Sequence, residues 1–346
     1  MNRQHLLYLQ DINNMLDVRG IDSLKGKTVL ITGATGLIGT CLIDALMKLN
    51  EKDYDIRIIA VGRDYDKVQN HFPDYVKSPR FTIVQQNVAD PFPDSLSVDL
   101  IFPLASNTHP LYYSKYPIET ILTNIKGAEN ALELAAKCGA MVIYPSTVEI
   151  YGNARGEDVF TEDYTGSLNL SNSRSCYTES KRVSESLCQS FISEKGVNVK
   201  IARLSRIFGP TVLSTDTKAS SQFINKAVAG EDIVLKSEGT QFFSYTYVAD
   251  AVNALLYIAI NGETGVPYNI SNEACNVRLR DFADYCAGCS GKKVVFELPS
   301  EVERKGYSVA SYAILDNSRL VSIGWVPKYT MKDAIQRTVT MLYEDS

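Results

Sequence analysis

Tyr177 and Lys181 stand four residues apart in the segment Tyr-Thr-Glu-Ser-Lys. On a helix this spacing brings both side chains to one face. A free phenol has a pKa of about 10 and is a poor base at neutral pH, but a nearby ammonium group favours the phenolate. The pair can therefore take a proton from a hydroxyl group while a hydride leaves the same carbon. Because the spacing is also common by chance, this assignment depends on the elements around it.

Thr147 and Glu149 form a second polar pair, which comes soon after the apolar segment 141–144. If the backbone there is extended, alternate side chains share a face, so both point into one cleft and Val148 turns away. A hydroxyl group in the cleft can hydrogen-bond a substrate oxygen, and a carboxylate can move a proton at a neighbouring carbon. We predict that this pair acts together with Tyr177 and Lys181.

A glycine-rich loop follows the apolar segment 28–32 and opens a helical pattern. The spacing Gly-x-x-Gly-x-x-Gly lets the backbone turn tightly and approach a pyrophosphate group, while the helix N-terminus offers free N–H groups. This context predicts a dinucleotide site. The contacts expected from the loop are Gly33, Thr35, Gly36, Leu37, Ile38 and Gly39.

The end of the second predicted strand bears on the choice of cofactor. NAD sites usually place an acidic residue there, which holds the ribose 2′-hydroxyl group. This chain has Gly62 at that position, followed by Arg63 and Asp64. A glycine leaves room for a 2′-phosphate that an arginine can pair with, whereas Asp64 could reach the ribose if the strand ran further. We predict NAD as the cofactor, with acceptance of NADP as a hypothesis; the alternative is that Arg63 stacks on adenine or faces solvent.

Apolar strand patterns alternate with helical periodicity along the first part of the chain, which indicates a parallel sheet covered on both faces. From about residue 208 the pattern loosens into short strands, loops and helices. The sequence therefore predicts an α/β fold, a Rossmann-type doubly wound parallel sheet with a smaller, interleaved C-terminal substrate domain. The predicted divisions are an N-terminal helix and lead-in at 1–25, a dinucleotide-binding domain at 26–205 with 245–275 returning to it, and a substrate-binding domain at 206–244 and 276–346.

The composition of the 346-residue chain argues against several classes of protein. The net charge is -5 and no basic run occurs, which argues against a nucleic-acid partner. No apolar segment approaches the roughly 20 residues that cross a bilayer, and the N-terminus lacks the apolar core of a signal peptide. The seven cysteines lack a regular spacing, and Cys286 and Cys289 have no second pair. We therefore predict reduced thiols, a cytoplasmic location and no metal site.

The motifs together resemble one large family. From about residue 26 to the C-terminus, the chain is similar to the extended short-chain dehydrogenase/reductases of the nucleotide-sugar epimerase/dehydratase type. Within that family, the stretch 162–188 most resembles the UDP-glucuronate decarboxylases. The segments that carry the resemblance are Thr-Gly-Ala-Thr-Gly-Leu-Ile-Gly at 32–39, Leu-Ala-Ser at 104–106, Asn124, Ser-Thr-Val-Glu-Ile-Tyr-Gly at 146–152, Cys-Tyr-Thr-Glu-Ser-Lys-Arg at 176–182, Phe-Gly-Pro at 208–210, Tyr-Val-Ala-Asp at 247–250 and Ile-Gly-Trp at 323–325.

The resemblance implies bound NAD, a nucleotide-diphosphate sugar as substrate and a homodimer. It implies that Tyr177 takes the proton of the sugar 4-hydroxyl group, that Thr147 orients that oxygen, and that Lys181 holds the ribose and tunes Tyr177. Glu149 matches the glutamate that lyases of this group use for elimination at C5, as decarboxylation or dehydration. The further contacts implied are Arg63, Asp64, Asn87, Val88, Leu104, Ala105 and Ser106 for the cofactor, and Ser106, His109, Asn169, Arg174 and Arg206 for the substrate.

Several positions depart from the family pattern. Val148 replaces the aspartate that protonates the leaving hydroxyl group in dTDP-glucose dehydratases, which weakens a dehydratase assignment. Phe243 and Thr211 stand where arginines usually bind the diphosphate. Arg206 replaces an asparagine, and we expect it to supply the lost charge, because a buried diphosphate without cationic partners is unfavourable.

Three other functions fit parts of the sequence. A nucleotide-sugar 4-epimerase would return the hydride to the opposite face of the sugar. An NADPH-dependent reductase of a nucleotide-linked keto sugar or polyol would consume the cofactor, and Arg63 favours it. A dinucleotide-sensing binding protein has no need for the complete set of Thr147, Tyr177 and Lys181, so it is the weakest alternative.

Overall fold

The computed structural model describes residues 2–108, 110–213, 216–297 and 311–344, whose strands form one large and two small sheets. The strands are β1 (Thr28–Thr32), β2 (Arg57–Gly62), β3 (Phe81–Gln85), β4 (Leu100–Pro103), β5 (Met141–Thr147), β6 (Asn198–Leu204), β7 (Arg206–Phe208), β8 (Ile233–Leu235), β9 (Phe242–Tyr247), β10 (Pro267–Ile270), β11 (Asn276–Arg278), β12 (Val294–Phe296) and β13 (Tyr312–Ala313).

The large sheet has seven strands in the order β10-β6-β5-β4-β1-β2-β3. Every neighbouring pair in it runs parallel. From β1 the chain moves outward through β2 and β3, then crosses back to β4 on the other side. In open parallel sheets, ligands bind outside the carboxyl ends of the strands at such a reversal. The topology therefore places a binding site between the loops that follow β1 and β4.

Helices cover both faces of this sheet, which confirms the predicted doubly wound fold. Along β1, Val29 and Ile31 pack into a core with the helices at 37–50 and 248–261, whereas Leu30 packs on the opposite face with the helices at 117–138 and 175–195, as the alternation of strand side chains requires. The helices are α1 (Leu6–Met15), α2 (Leu37–Asn50), α3 (Tyr65–His71), α4 (Pro110–Lys115), α5 (Pro117–Cys138), α6 (Ser175–Lys195), α7 (Ala219–Val228), α8 (Val248–Asn261), α9 (Leu279–Cys289), α10 (Ser318–Ser322) and α11 (Met331–Tyr343). Among these helices, none is long and apolar enough to cross a membrane.

The smaller sheets lie in the second part of the chain. In one of them β9 pairs with β7 and β13 in parallel and with β11 antiparallel, while β8 and β12 form a separate parallel pair. Between β9 and β11 the chain returns to the large sheet, because β10 pairs with β6. This path is compatible with an interleaved substrate domain, and the domain boundaries themselves stay a prediction.

Helix α1 is attached to the rest of the fold by a buried carboxylate. Asp11 accepts hydrogen bonds from the hydroxyl groups of Tyr247, at 2.6 Å, and Tyr329, at 2.7 Å. The Arg337 guanidinium group on α11 donates to it as well, at 2.9 Å. Since a buried charge is tolerated only when it is paired and hydrogen-bonded, these contacts fix α1 against β9 and the C-terminal helix.

Candidate active site

The glycine loop opens a cavity of about 1800 Å³ at the carboxyl ends of the large sheet. Gly33 has a φ of +65°, and a Cβ there would lie 2.9 Å from the Ala105 nitrogen, so the loop following β4 requires glycine at this position. Gly36 is the N-cap of α2 and provides no side chain to cap the first-turn N–H groups. The predicted loop residues line the cavity: Gly33, Thr35, Gly36, Leu37, Ile38 and Gly39. These uncapped N–H groups, with the positive end of the helix dipole, fit the pyrophosphate of NAD.

The adenosine end of this site lies beyond β2. The side chain of Asp64 caps α3 by accepting from the Lys67 amide at 3.0 Å, so it is already engaged. The Arg63 side chain is 67% exposed and lies 3.6 Å from a Glu119 oxygen. A Cβ on Gly62 would lie 2.5 Å from a Val68 methyl group, so packing of α3 alone is sufficient to require this glycine. Arg63, Asp64, Asn87 and Val88 all line the cavity.

Lys181 is a buried residue of α6 that lines the cavity. Its ammonium group donates to the Pro145 carbonyl oxygen at 2.8 Å and lies 5.0 Å from the centre of the Tyr144 ring. Burial lowers the pKa of Lys181 to about 8, because a low-dielectric environment disfavours the charged form. At neutral pH most of the Lys181 side chains still carry their proton.

Tyr177 lies one helical turn before Lys181 and faces the same cavity. Burial raises the pKa of Tyr177, the Glu149 carboxylate raises it further, and a hydrogen bond with the Thr147 hydroxyl group opposes the rise. The prediction that Lys181 lowers the pKa of Tyr177 is not met in this structure. The reason is that the Lys181 ammonium group is directed at the Pro145 carbonyl oxygen, while the phenol is buried near a carboxylate.

Thr147 and Glu149 both reach the cavity, but not by the predicted route. Strand β5 ends at Thr147, and residues Val148–Tyr151 form a 3-10 helix. The Thr147 hydroxyl oxygen caps this turn by accepting from the Glu149 amide at 3.3 Å. The extended-backbone argument is therefore wrong beyond Thr147, and Val148 lines the cavity as well. Glu149 is exposed toward the cavity and acts electrostatically on Tyr177.

A hydrogen-bonded chain holds α6 in place beside the loop that follows β4. The Ser106 hydroxyl group donates to the side-chain oxygen of Asn124 at 2.7 Å. The Asn124 side-chain nitrogen donates to the Ser180 hydroxyl oxygen at 2.8 Å, and Ser180 donates to the Tyr177 carbonyl oxygen at 2.8 Å. Ser106 therefore positions the helix that carries Tyr177. Leu104, Ala105 and Ser106 line the cavity, as predicted for a cofactor site.

Tyr113 is a cavity residue that the sequence did not reveal. Its ring stacks on that of Tyr177, with centroids 5.5 Å apart and an interplanar angle of 16°. The Arg174 guanidinium group donates to the Tyr113 hydroxyl oxygen at 3.3 Å. Tyr113 contacts Tyr177 because α4 packs beside the start of α6. No residue spacing in the sequence predicts this contact. Arg174 itself lines the cavity, as predicted.

Arg206 lies in the same cavity on β7. Its guanidinium carbon is 3.6 Å from the centre of the Phe243 ring, and its Nη1 is buried without a hydrogen-bond partner among the described residues. Thr211 does not face the substrate space, because its hydroxyl group donates to the Leu37 carbonyl oxygen at 2.8 Å. Its role is to connect the turn after β7 to α2.

One predicted substrate contact, Asn169, is not placed in the cavity. The side chain of Asn169 is exposed and accepts from the Ser171 amide at 3.0 Å, so it closes a turn on the surface. The structure does not bring Asn169 to the cavity lining. His109 lies outside the described residues.

Sequence comparison places the chain among known enzymes. A model of the NAD dependent epimerase/dehydratase family matches residues 29–271. UDP-glucuronic acid decarboxylase 6 of Arabidopsis thaliana is 35% identical over 244 residues, which cover 70% of this chain and 69% of that protein. UDP-glucuronic acid decarboxylase 1 of Xenopus tropicalis is 29% identical over 325 residues, which cover 93% of this chain and 73% of that protein.

Solved structures share the fold at lower identity. A dTDP-glucose 4,6-dehydratase from Bacillus anthracis, in complex with NAD, superposes with a TM-score of 0.75 at 20% identity and covers 92% of this chain and 97% of that one. A UDP-glucuronic acid 4-epimerase from Bacillus cereus, with UDP-glucuronic acid and NAD, gives a TM-score of 0.76 at 19% identity and covers 92% and 100%. The structures show a shared fold, and the family match with the 35% identity to the Arabidopsis thaliana protein shows that the chain belongs to the NAD-dependent epimerase/dehydratase family.

Proposed function

We propose that this protein oxidises a nucleotide sugar at C4 and then eliminates a group at C5. Decarboxylation of UDP-glucuronate is the leading reaction, and 4,6-dehydration of a nucleotide hexose is the next. The observation that carries this proposal is the position of Glu149, whose carboxylate shares one cavity with Thr147 and Tyr177. The similarity to relatives named UDP-glucuronic acid decarboxylases supports it.

The first step removes a proton and a hydride from the C4 carbinol. Thr147 hydrogen-bonds the 4-oxygen, and Tyr177 takes its proton, while Lys181 on the next turn of α6 holds the ribose of the cofactor. NAD, when bound, accepts the hydride from C4 and later returns it. Because burial raises the pKa of Tyr177, the phenol is protonated in the cofactor-free protein at neutral pH and must lose that proton before it can act.

The 4-ketone then makes the bond at C5 labile, because it delocalises a negative charge formed at C5. In UDP-glucuronate the C5 carboxylate leaves as carbon dioxide, and the resulting carbanion takes a proton at C5. In a dehydration, a base removes the C5 proton and the 6-hydroxyl group leaves as water. Glu149 is the group placed to move the proton at C5 in either case. Val148 has no proton to give to a leaving hydroxyl group, which favours decarboxylation.

Mass spectrometry of products from a panel of nucleotide sugars tests the proposal. Purified protein is incubated with NAD and with UDP-glucuronate, UDP-glucose, dTDP-glucose or the corresponding galacto sugars. Loss of carbon dioxide or of water from one substrate supports elimination at C5. Conversion without a change of mass identifies a 4-epimerase and refutes elimination. Consumption of NADPH with a keto sugar identifies a reductase, the second candidate, which Arg63 favours.

The position of Arg63 predicts that the site accepts NADP as well as NAD. Its guanidinium group is mostly exposed and is paired only loosely with Glu119, so it can turn toward a 2′-phosphate without losing a strong contact. We expect Arg63→Ala to weaken NADP binding by about tenfold and NAD binding by no more than about twofold. Fluorescence titration with both dinucleotides measures this. Tight binding of NAD without measurable binding of NADP would show that Arg63 does not recognise a phosphate.

We also infer a homodimer joined through α5 and α6, with a cytoplasmic location. Val183 on the outer side of α6 is 42% exposed, whereas Leu187 and Phe191 are partly buried against the core. The apolar area left exposed on α6 is therefore small, and the exposed apolar residues Ile118 and Leu122 on α5 line the cavity. Light scattering on a sizing column measures the mass, and a monomer at micromolar concentration would refute the dimer.

All seven cysteines are free thiols, which supports a reducing compartment.

A further inference from the structure

Arg206 is a half-buried cation whose orientation is fixed by an aromatic ring. Its partner across the parallel pairing of β7 and β9 is Tyr245. Phe243 lies two residues before Tyr245 and so on the same face of β9, and the Arg206 guanidinium carbon lies 3.6 Å from the centre of its ring. A guanidinium group stacked on a ring keeps its N–H donors at its edge, where they remain available to an anion.

One donor of Arg206 has no acceptor in the part of the chain that the structure describes. Its Nη1 is buried and makes no hydrogen bond within the described residues. A buried charged donor without a partner is unfavourable unless a ligand supplies the acceptor. Four other cations along the cavity have acceptors of their own: Arg63 has Glu119, Lys181 has the Pro145 carbonyl group, Lys218 has Asp216, and Lys226 has Glu231.

Arg206 also lines the cavity close to the reaction centre. Burial raises the pKa of Tyr113 to about 12 and Glu149 adds to the rise, whereas Arg174 and Arg206 oppose it. Arg206 is therefore near Tyr113, which stacks on Tyr177 at the reaction centre. Beyond Phe243 the cavity continues between α7 and β8, where it is lined by Ser220, Gln222, Phe223, Val234 and Leu235.

We propose that Arg206 binds the diphosphate group of the substrate. This assignment rests on the proposed function, in which the sugar C4 lies at Tyr177. In a nucleotide sugar, the diphosphate lies between the sugar and the nucleoside. If the nucleoside occupies the part of the cavity between α7 and β8, the diphosphate lies next to Arg206. A planar guanidinium group can donate two parallel hydrogen bonds to phosphate oxygens. Phe243, which carries no charge itself, orients the arginine that does.

Binding calorimetry separates the diphosphate from the rest of the ligand. The probes are UDP, dTDP, CDP and GDP with their nucleosides, in saturating NAD, and the proteins are wild type, Arg206→Ala, Arg206→Lys and Arg278→Ala. Arg278 is the matched control, because its guanidinium carbon lies 5.6 Å from the centre of the ring of Phe242, the residue before Phe243 on β9. Arg278 does not line the cavity.

We expect Arg206→Ala to weaken the best-bound nucleoside diphosphate by roughly 10- to 100-fold. Binding of the nucleoside and of NAD should stay unchanged, because neither contacts the removed charge. Arg206→Lys should fall between wild type and Arg206→Ala, since a lysine keeps the charge but loses the planar stack. Arg278→Ala should bind every probe as the wild type does.

An unchanged diphosphate affinity in Arg206→Ala would overturn the proposal, while leaving the proposed function intact. Equal weakening of the nucleoside and its diphosphate would also overturn it, because that result indicates a structural role. A wild type that binds NAD but none of the diphosphates would refute the proposed function, and the role of Arg206 would fall with it. If thermal unfolding shows that Arg206→Ala does not fold, Arg206→Gln takes its place in the same comparison.

Discussion

Replacing Tyr177 with phenylalanine is expected to lower kcat by about 1000-fold, with NAD affinity changed by no more than about twofold. The change removes one hydroxyl group, and the ring that stacks on Tyr113 stays in place. Without the phenol, the group assigned to take the proton of the C4 hydroxyl group is missing. The measurement is the rate of product formation by mass spectrometry, with NAD affinity from fluorescence titration.

Tyr113→Phe is the matched comparison, because Tyr113 is also buried and lies in the same stack. It loses only the hydroxyl oxygen to which Arg174 donates. We expect its kcat to fall by less than about tenfold, as for a single hydrogen bond outside the proton-transfer path. A larger loss in Tyr113→Phe than in Tyr177→Phe would show that the base has been assigned to the wrong phenol.

Changing Glu149 to glutamine should separate the two halves of the reaction. Oxidation at C4 depends on Thr147 and Tyr177, so reduced cofactor should still form. The proton transfer at C5 depends on the carboxylate, and final product should appear about 100-fold more slowly. Absorbance of the reduced cofactor and product mass, followed in one reaction, report the two halves. Final product at the wild-type rate would remove Glu149 from the mechanism.

The same variant has a predictable effect on pH dependence. The Glu149 carboxylate raises the pKa of Tyr177, because a negative neighbour disfavours the phenolate. Glutamine removes that charge, so the pKa of Tyr177 should fall. Since the phenolate is the active form, the rise in the rate of C4 oxidation should move to lower pH. A pH profile of cofactor reduction in wild type and Glu149→Gln measures the shift, and movement toward higher pH would contradict it.

Local sequence patterns were sufficient to predict the secondary-structure elements that position this site. The glycine spacing at 33–39 depends on backbone contacts within one strand–turn–helix unit, so the sequence alone locates it. The Tyr177 and Lys181 pair depends on the pitch of a single helix, which the structure confirms by placing both in α6. Alternating strands and helices likewise predicted the large parallel sheet. In each case the determinant lies within one element or its immediate neighbour.

Contacts between distant elements were beyond such reasoning. The stack of Tyr113 on Tyr177 depends on how α4 meets α6, and the Arg206–Phe243 contact depends on the register of β7 against β9. The sequence predicted that the extended backbone of β5 continues to Glu149. The strand instead ends two residues earlier, at Thr147, which caps a 3-10 helix. The assignment of Asn169 to the substrate stays a prediction, because in this structure its side-chain oxygen accepts from the Ser171 amide in a surface turn.

The position of β10 has a consequence for how the chain folds during its synthesis. Strand β6 needs β10 as its outer neighbour, yet β7, β8 and β9 are made before β10. Until then, β6 stays an edge strand whose backbone N–H and C=O groups on one side are available to pair with another chain. Such late, non-local pairing slows folding and prolongs exposure to aggregation. A fragment that ends at residue 205 would lack β10 and would keep β6 as an edge strand of the sheet.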